Sequence, residues 1–509
     1  MLLDKTIENA VAVNLSSLGY IWPEVVLTAS IMIIIVVDLI VGGRKKGLMT
    51  AMTLASLVVC LIAVADLYDE APRSLFLGMA ALDGFALFFK ILFVVTTILV
   101  VLFGLQSPDI EEARIGEFYA IFLSVVLGGF FMASATNLLM MYLALELVSL
   151  PSFILVGYQK RVQRSNEAAL KYVIYGGVSS GIMLFGFSLI YGLTGTLDIY
   201  EIAESLGASA PQGLALFLGA ALAMAGFGYK VASVPFHFWC PDVYEGAPTP
   251  VTAFLSVAPK AAGFALLARF FYLGLSEYDG TSGSAIGIDW PQLLAVISAC
   301  TMTLGNLTAI WQRNLKRLLA YSSIAHAGYM MMGIVMLSAS GLQAVMFYTA
   351  AYLFMNLGAF LVVQVLAVKI ESEDIQDYNG LGWRSPWIAL AMTAFLFSLT
   401  GLPPTAGFIG KVYLFASVID GGLYWLAIVG VLNSAVSLYY YARIIRAMYL
   451  ERPVVEDPVV IPRFATVTLA FLFAGTILLG VYWAPLADLT ARSTTLFQAN
   501  AGAAQALMK

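Results

Sequence analysis

The chain has 509 residues, of which 61% are hydrophobic and only 11% charged, with a net charge of −5. A soluble domain of this length carries roughly a quarter charged residues, so with a mean hydropathy of +0.89 lipid is the solvent for most of its surface, and no basic face is offered to nucleic acid. Three scattered cysteines (Cys60, Cys240, Cys300), two histidines and no glycine-rich phosphate loop exclude a disulfide framework, iron–sulfur ligation, bis-histidine haem and nucleotide chemistry in this chain.

The first twenty residues are polar and acidic and lack the basic start of a cleavable signal. The first apolar run is therefore expected to direct insertion. A span needs about 20 apolar residues to cross a hydrocarbon layer about 30 Å thick. Runs bounded by polar or Gly/Pro breaks predict spans near 21–41, 47–67, 82–105, 117–135, 137–157, 166–193 and 212–240, then 249–274, 290–310, 317–339, 341–368, 386–419, 421–448 and 464–486. The fold class is thus an all-α polytopic membrane protein of about 14 transmembrane helices.

Basic residues set the expected orientation. Six of the 26 lie within spans. With the N-terminus outside, outer segments hold four (Lys5, Arg73, Arg492, Lys509) and inner loops the remaining 16, beginning with Arg44, Lys45 and Lys46. That bias fits an even number of spans with both termini outside.

Two spans are too long to be simple. Residues 386–419 would make about 51 Å of helix at roughly 1.5 Å per residue. Their middle carries Gly401, Pro403 and Pro404, where two donors are lost and the helix is expected to break. The 212–240 span carries Gly226, Gly228 and Pro235 and is expected to break as well. Irregular backbone at membrane depth survives only against protein or a water-filled cavity, which makes breaks pointers to a transport site. Residues 225–230 (AGFGYK) match 406–411 (AGFIGK) at four of six positions. The spans involved are the seventh and twelfth, and an odd offset inverts one against the other. This predicts two inverted five-helix repeats. The expected divisions are a three-helix segment 1–116, a half-channel repeat 117–274, a second repeat 290–448, and a last helix with tail 449–509.

A charged side chain at mid-bilayer costs about 2.5–3.5 kcal/mol on insertion scales. Glu146 is near the centre of its span with no basic residue at i±3 or i±4, so a partner must come from another helix. Lys230, Lys260 and Lys411 complete the candidate proton relay. Desolvation weakens the hold of any lysine on its proton, and a nearby carboxylate restores it, so moving a carboxylate loads or empties a lysine. The alternative is that these charges only pair and specify packing. Lys171 could relay or could snorkel to the inner surface. His326 and His237 could relay or be hydrogen-bonded core histidines. Lys90 and Arg269 read as pairing or interfacial residues.

Residues 235–255 (PFHFWCPDVYEGAPTPVTAFL), with Lys260 following, resemble the hallmark segment of the antiporter-like subunits of respiratory complex I, in the wording of the subunit-N branch. Pro23-Glu24, Leu402-Pro403-Pro404, Gly407-Phe408 and Tyr321–His326 extend the resemblance over essentially the whole chain. It implies that Glu146 takes the place of the fifth-helix glutamate, and Lys230, Lys260 and Lys411 the lysines of helices seven, eight and twelve. It also implies partner subunits M, L, K, J, A and H in a bacterial inner membrane. This chain is expected to hold no cofactor, with NAD, FMN, iron–sulfur clusters and quinone in those partners. The function implied is proton translocation within NADH:quinone oxidoreductase. The alternatives are a subunit of a multisubunit cation/proton antiporter or membrane-bound hydrogenase, and a passive scaffold.

Overall fold

The computed structural model describes residues 2–42, 45–105, 107–110, 114–208, 213–275, 290–453, 457, 459 and 461–498, with the side chains of 2–7 and 9 left out. Arg44, Lys509, the expected start of the seventh span at 212 and the tail from 499 lie outside these residues, as does the Lys5 side chain.

Thirteen helices among the described residues are long and apolar enough to cross a membrane. The fourteenth crossing is made by two shorter helices in line of sequence, Pro386–Thr400 and Ala406–Asp420. The chain is a multi-pass membrane protein. The spans are Trp22–Val41, Lys46–Asp66, Gly84–Gly104, Ile115–Ser134, Leu138–Val156, Gln163–Thr194, Gly213–Val231 with Trp239–Gly246, and Thr249–Arg269. They continue with Trp290–Ala309, Leu315–Val335, Ala339–Ile370, the split twelfth, Tyr424–Leu450 and Arg463–Val481. Their starts follow local chemistry. Asp83 accepts the Ala86 amide at 2.7 Å, Asn314 that of Arg317 at 3.0 Å and Ser338 that of Gly341 at 3.2 Å, each filling a donor left over in a first turn.

Three elements are not foreshadowed by hydropathy. A helix, Leu2–Ser17, precedes the first span; a hairpin pairs Arg73–Leu75 with Ala80–Leu82; and a helix, Ala484–Ser493, follows the last span. All three sit at the side where the first span begins, hereafter the Trp22 side.

The eighth span is the post of the bundle, with every residue from Thr249 to Arg269 buried. The first span instead exposes Met32, Ile33, Val36, Leu39 and Ile40, a surface suited to lipid or to a neighbouring apolar helix.

The break in the seventh span lies at 232–238 and includes Pro235. Gly226 and Gly228 do not break it, contrary to expectation, and remain helical. A side chain at Gly226 would come within 2.3 Å of Met183 Sδ, so this glycine serves close packing of the sixth and seventh spans rather than unwinding. The twelfth breaks at 401–405, through Gly401, Pro403 and Pro404. Val234–Pro235 and Pro403–Pro404 are both cis.

Candidate functional site

Both breaks begin with the same cap. The Ser233 amide reaches back to the Gly228 carbonyl at 2.8 Å, and the Leu402 amide to that of Phe397 at 3.0 Å. Between them a left-handed residue turns the chain: Ala232 at φ 60 in one case, Gly401 at φ 90 in the other. This is the close that satisfies the last carbonyls of a helix. Gly401 has a second reason to lack a side chain, since a Cβ there would lie 2.7 Å from Lys411 Cδ.

Lys230 occupies the last turn before the first break and is 2% exposed. Its ammonium donates to Ser149 Oγ at 3.0 Å, and its aliphatic stem lies against Gly263 of the eighth span, where a Cβ would come within 3.2 Å of Lys230 Cγ. Ser149 is one turn beyond Glu146 on the fifth span. Glu146 itself is half-buried between exposed Leu143 and Leu150, with no ion pair inside 4.0 Å among the described residues. Sequence reasoning expected a partner on another helix; among the described residues Ser149 bonds the Leu145 carbonyl and Lys230, and no hydrogen bond joins it to Glu146.

Lys260 is 1% exposed, donates to Ser323 Oγ at 2.6 Å, and stands 5.6 Å above the Tyr244 ring. Ser322 and His326 of the same tenth span carry the polar thread onward. Ser322 Oγ and Tyr441 Oη are 2.5 Å apart, Tyr441 Oη is 3.4 Å from His326 Nε2, and His326 Nδ1 is 2.6 Å from Tyr348 Oη. Lys411, 3% exposed, donates to the Thr400 carbonyl at 2.8 Å and Ser434 Oγ at 2.9 Å, and lies 4.3 Å over the Tyr329 ring. That carbonyl is free because the break ends its helix, so an unwound backbone group serves as an ammonium ligand.

The four residues read from the sequence stand on the fifth, seventh, eighth and twelfth spans, each lysine with its own local partners. Among the described residues no direct hydrogen bond joins Lys230 to Lys260, or His326 to Lys411. Ser149, Ser323, Ser434 and Tyr441 were not read from the sequence. Only Ser149, one turn from Glu146 on the same face, left a signal.

The remaining candidates fall elsewhere. Lys171 pairs with Asp242 at 2.7 Å and Glu167 at 2.8 Å. Arg317 grips Asp242 at 2.6 Å and Glu245 at 2.9 Å, so the acidic residues of the hallmark segment lash the second half of the seventh span to the sixth and tenth. His237 sits in the first break, its ring against Phe238 at 4.4 Å. Lys90 and Arg269 are pairing residues: Lys90 meets Glu24 at 2.6 Å and Arg269 holds Asp83 at 2.8 Å, all four side chains under 5% exposed.

With the site laid out, its likeness to known proteins is specific. Residues 135–437, which include Glu146, Lys230, Lys260 and Lys411, match the transmembrane family of NADH:quinone oxidoreductase and Mrp antiporters. The chain belongs to this family. Within it, NADH-quinone oxidoreductase subunit N of Anaeromyxobacter sp. (strain Fw109-5) is 49% identical over 95% of this chain and 98% of its own. A chain of respiratory complex I from Thermus thermophilus superposes with a TM-score of 0.78 at 31% identity, covering 92% of this chain and 99% of its own. A chain of an archaeal membrane-bound sulfane sulfur reductase shares the family fold at a TM-score of 0.86 and 23% identity, covering 96% of this chain and 100% of its own.

Proposed function

We propose that this chain is subunit N of a bacterial NADH:quinone oxidoreductase, and that Glu146, Lys230, Lys260 and Lys411 relay protons through it. The observation that carries the relay is that each of three buried lysines in the family's core rests its ammonium on a serine hydroxyl of another helix. A hydroxyl both accepts and donates, so it supports the lysine charged and neutral alike. A carboxylate in direct contact would fix the charged form.

Glu146, half-buried and one turn from Ser149, is the control. A partner subunit that draws its charge away from Lys230 lowers that lysine's hold on its proton. Return of the charge reloads it. The proton passes by Lys260, Ser323 and the His326–Tyr441 thread to Lys411, with rotation of the hydroxyls and mobile water supplying the links between them. Quinone reduction in neighbouring subunits drives the cycle. The two five-helix repeats 117–274 and 290–448 each contribute one broken span. Both termini face the outer side of the inner membrane, as the basic residues require. Lys171, paired with Asp242, and His237, within the first break, stand as further relay residues.

A cation/proton antiporter subunit is the second reading, favoured by the breadth of the family, which includes Mrp proteins. Glu146→Gln in the native complex separates the two. NADH oxidation, proton uptake and sodium/proton exchange are followed together in membrane vesicles. Subunit N is supported if the complex assembles and NADH-driven proton uptake falls at least about tenfold, the effect of roughly 1.4 kcal/mol on a limiting step. Intact NADH-driven uptake with collapsed cation exchange would make the chain an antiporter subunit.

A further inference from the structure

The three-helix segment that precedes the family core carries a charged site of its own. Glu24, in the first turn of the first span, and Lys90, in the second turn of the third, meet at 2.6 Å with both side chains nearly sealed. Lys90 also stands 5.7 Å from the Phe130 ring of the fourth span.

A buried polar atom left without a partner costs about 1–3 kcal/mol unless water reaches it. Glu24 Oε2 is buried and unpartnered, as is Ser134 Oγ close by. Both residues, with Lys90, line a cavity of about 170 Å3 whose walls include Phe76 and Met79 of the hairpin on the Trp22 side. That is room for several water molecules at roughly 30 Å3 each, and orphaned polar atoms around such a space are what solvent would satisfy. The other titratable group facing the pair is Cys60 of the second span, whose thiol points at the Pro23 carbonyl at 3.7 Å. Among the described residues Lys90 has no second ion pair beside Glu24.

We propose that Glu24 and Lys90 form a proton-exchange site, separate from the relay, that takes up and releases protons through this cavity on the Trp22 side of the membrane. The free oxygen of Glu24 accepts a proton from water in the cavity while Oε1 stays against the ammonium. Release returns the pair to its charged form. The ligand is the proton itself, carried by cavity water. The proposal rests on the orientation given above, which makes the Trp22 side the outer one, and not on the relay.

The test uses the intact complex in sealed membrane vesicles and the apolar reagent dicyclohexylcarbodiimide, which attacks buried carboxyl groups only when they are protonated. Modification of the Glu24 peptide is read by mass spectrometry at varied outer pH with inner pH fixed, and then the reverse. The expected result is labelling that rises several-fold as outer pH falls and ignores inner pH. Lys90→Met should label at every pH, since its carboxyl has no cation to hold the charge, and so shows that the reagent reaches the site. Glu24 that stays unlabelled at all outer pH values overturns the proposal. Labelling governed by inner pH overturns it and reverses the orientation too, whereas failure of the relay would appear only in the Glu146→Gln vesicles.

Discussion

The two broken spans lie five apart and cross the bundle in opposite directions. Lys230 precedes its break along the chain and Lys411 follows its own. The two reversals cancel, so both lysines stand on the Trp22 side of their breaks. A two-fold axis in the membrane plane would have put them on opposite sides. The six-residue match between 225–230 and 406–411 is therefore not the register of the proposed repeat, which rests on the breaks themselves. What differs is the support each lysine receives. Lys230 has one hydrogen-bond partner, Ser149, with Glu146 near; Lys411 has two, the Thr400 carbonyl and Ser434, and no acid. On the proposed relay, the first site is the one a carboxylate switches, and the second holds its proton by the polar neighbours described.

That comparison can be broken at several points. The largest effect concerns the frame holding the eighth span between the two sites. Arg269→Met leaves Asp83 buried without its cation and should cost about 3–5 kcal/mol. The expected outcome is loss of assembled complex on native gels; normal assembly would show that the pair does not anchor the span.

Next come the caps. Gly401→Ala forces a side chain into φ 90 and against Lys411. It should destabilise by about 1–3 kcal/mol and disturb pumping as well. Ala232→Gly relaxes the matching position at φ 60 and should be neutral or stabilising by up to about 1 kcal/mol. Thermal inactivation of the two variants reads the contrast, and equal losses would mean the breaks are not capped alike.

The serines act on pumping rather than on assembly. Ser149→Ala removes the sole partner of Lys230, and a hydrogen bond to a charged group is worth about 1.5–3 kcal/mol. Proton uptake should fall about tenfold or more. Ser434→Ala leaves Lys411 on the Thr400 carbonyl and should fall less than about threefold, because one charged hydrogen bond remains. Initial rates of uptake in vesicles decide whether the order holds.

Much of this was legible in the amino-acid order. Charges inside apolar runs are expensive enough to announce themselves, which is why Glu146, Lys230, Lys260 and Lys411 stood out. Prolines remove donors wherever they fall, so Pro403-Pro404 marked the second break correctly. The hydroxyl partners were hidden for a physical reason. Serine in a helix ordinarily bonds the carbonyl one turn back, as Ser149 does with Leu145 at 2.7 Å, and its second bond joins residues 81 apart in sequence. The glycines at 226 and 228 misled because close packing and unwinding use the same residue. Glu24 and Lys90 were each visible, but their meeting depends on the packing of spans that hydropathy leaves unpaired.

The central claim is that both lysines carry transported protons. Its most direct test is the number of protons taken up per NADH oxidised, measured in vesicles bearing Lys230→Met or Lys411→Met. Methionine keeps the volume and leaves no buried charge behind, only a serine hydroxyl in the first case and a serine hydroxyl with the Thr400 carbonyl in the second. The result expected is an assembled complex whose ratio falls in both variants alike. An unchanged ratio in either, at normal NADH oxidation, would show that its lysine only packs the bundle.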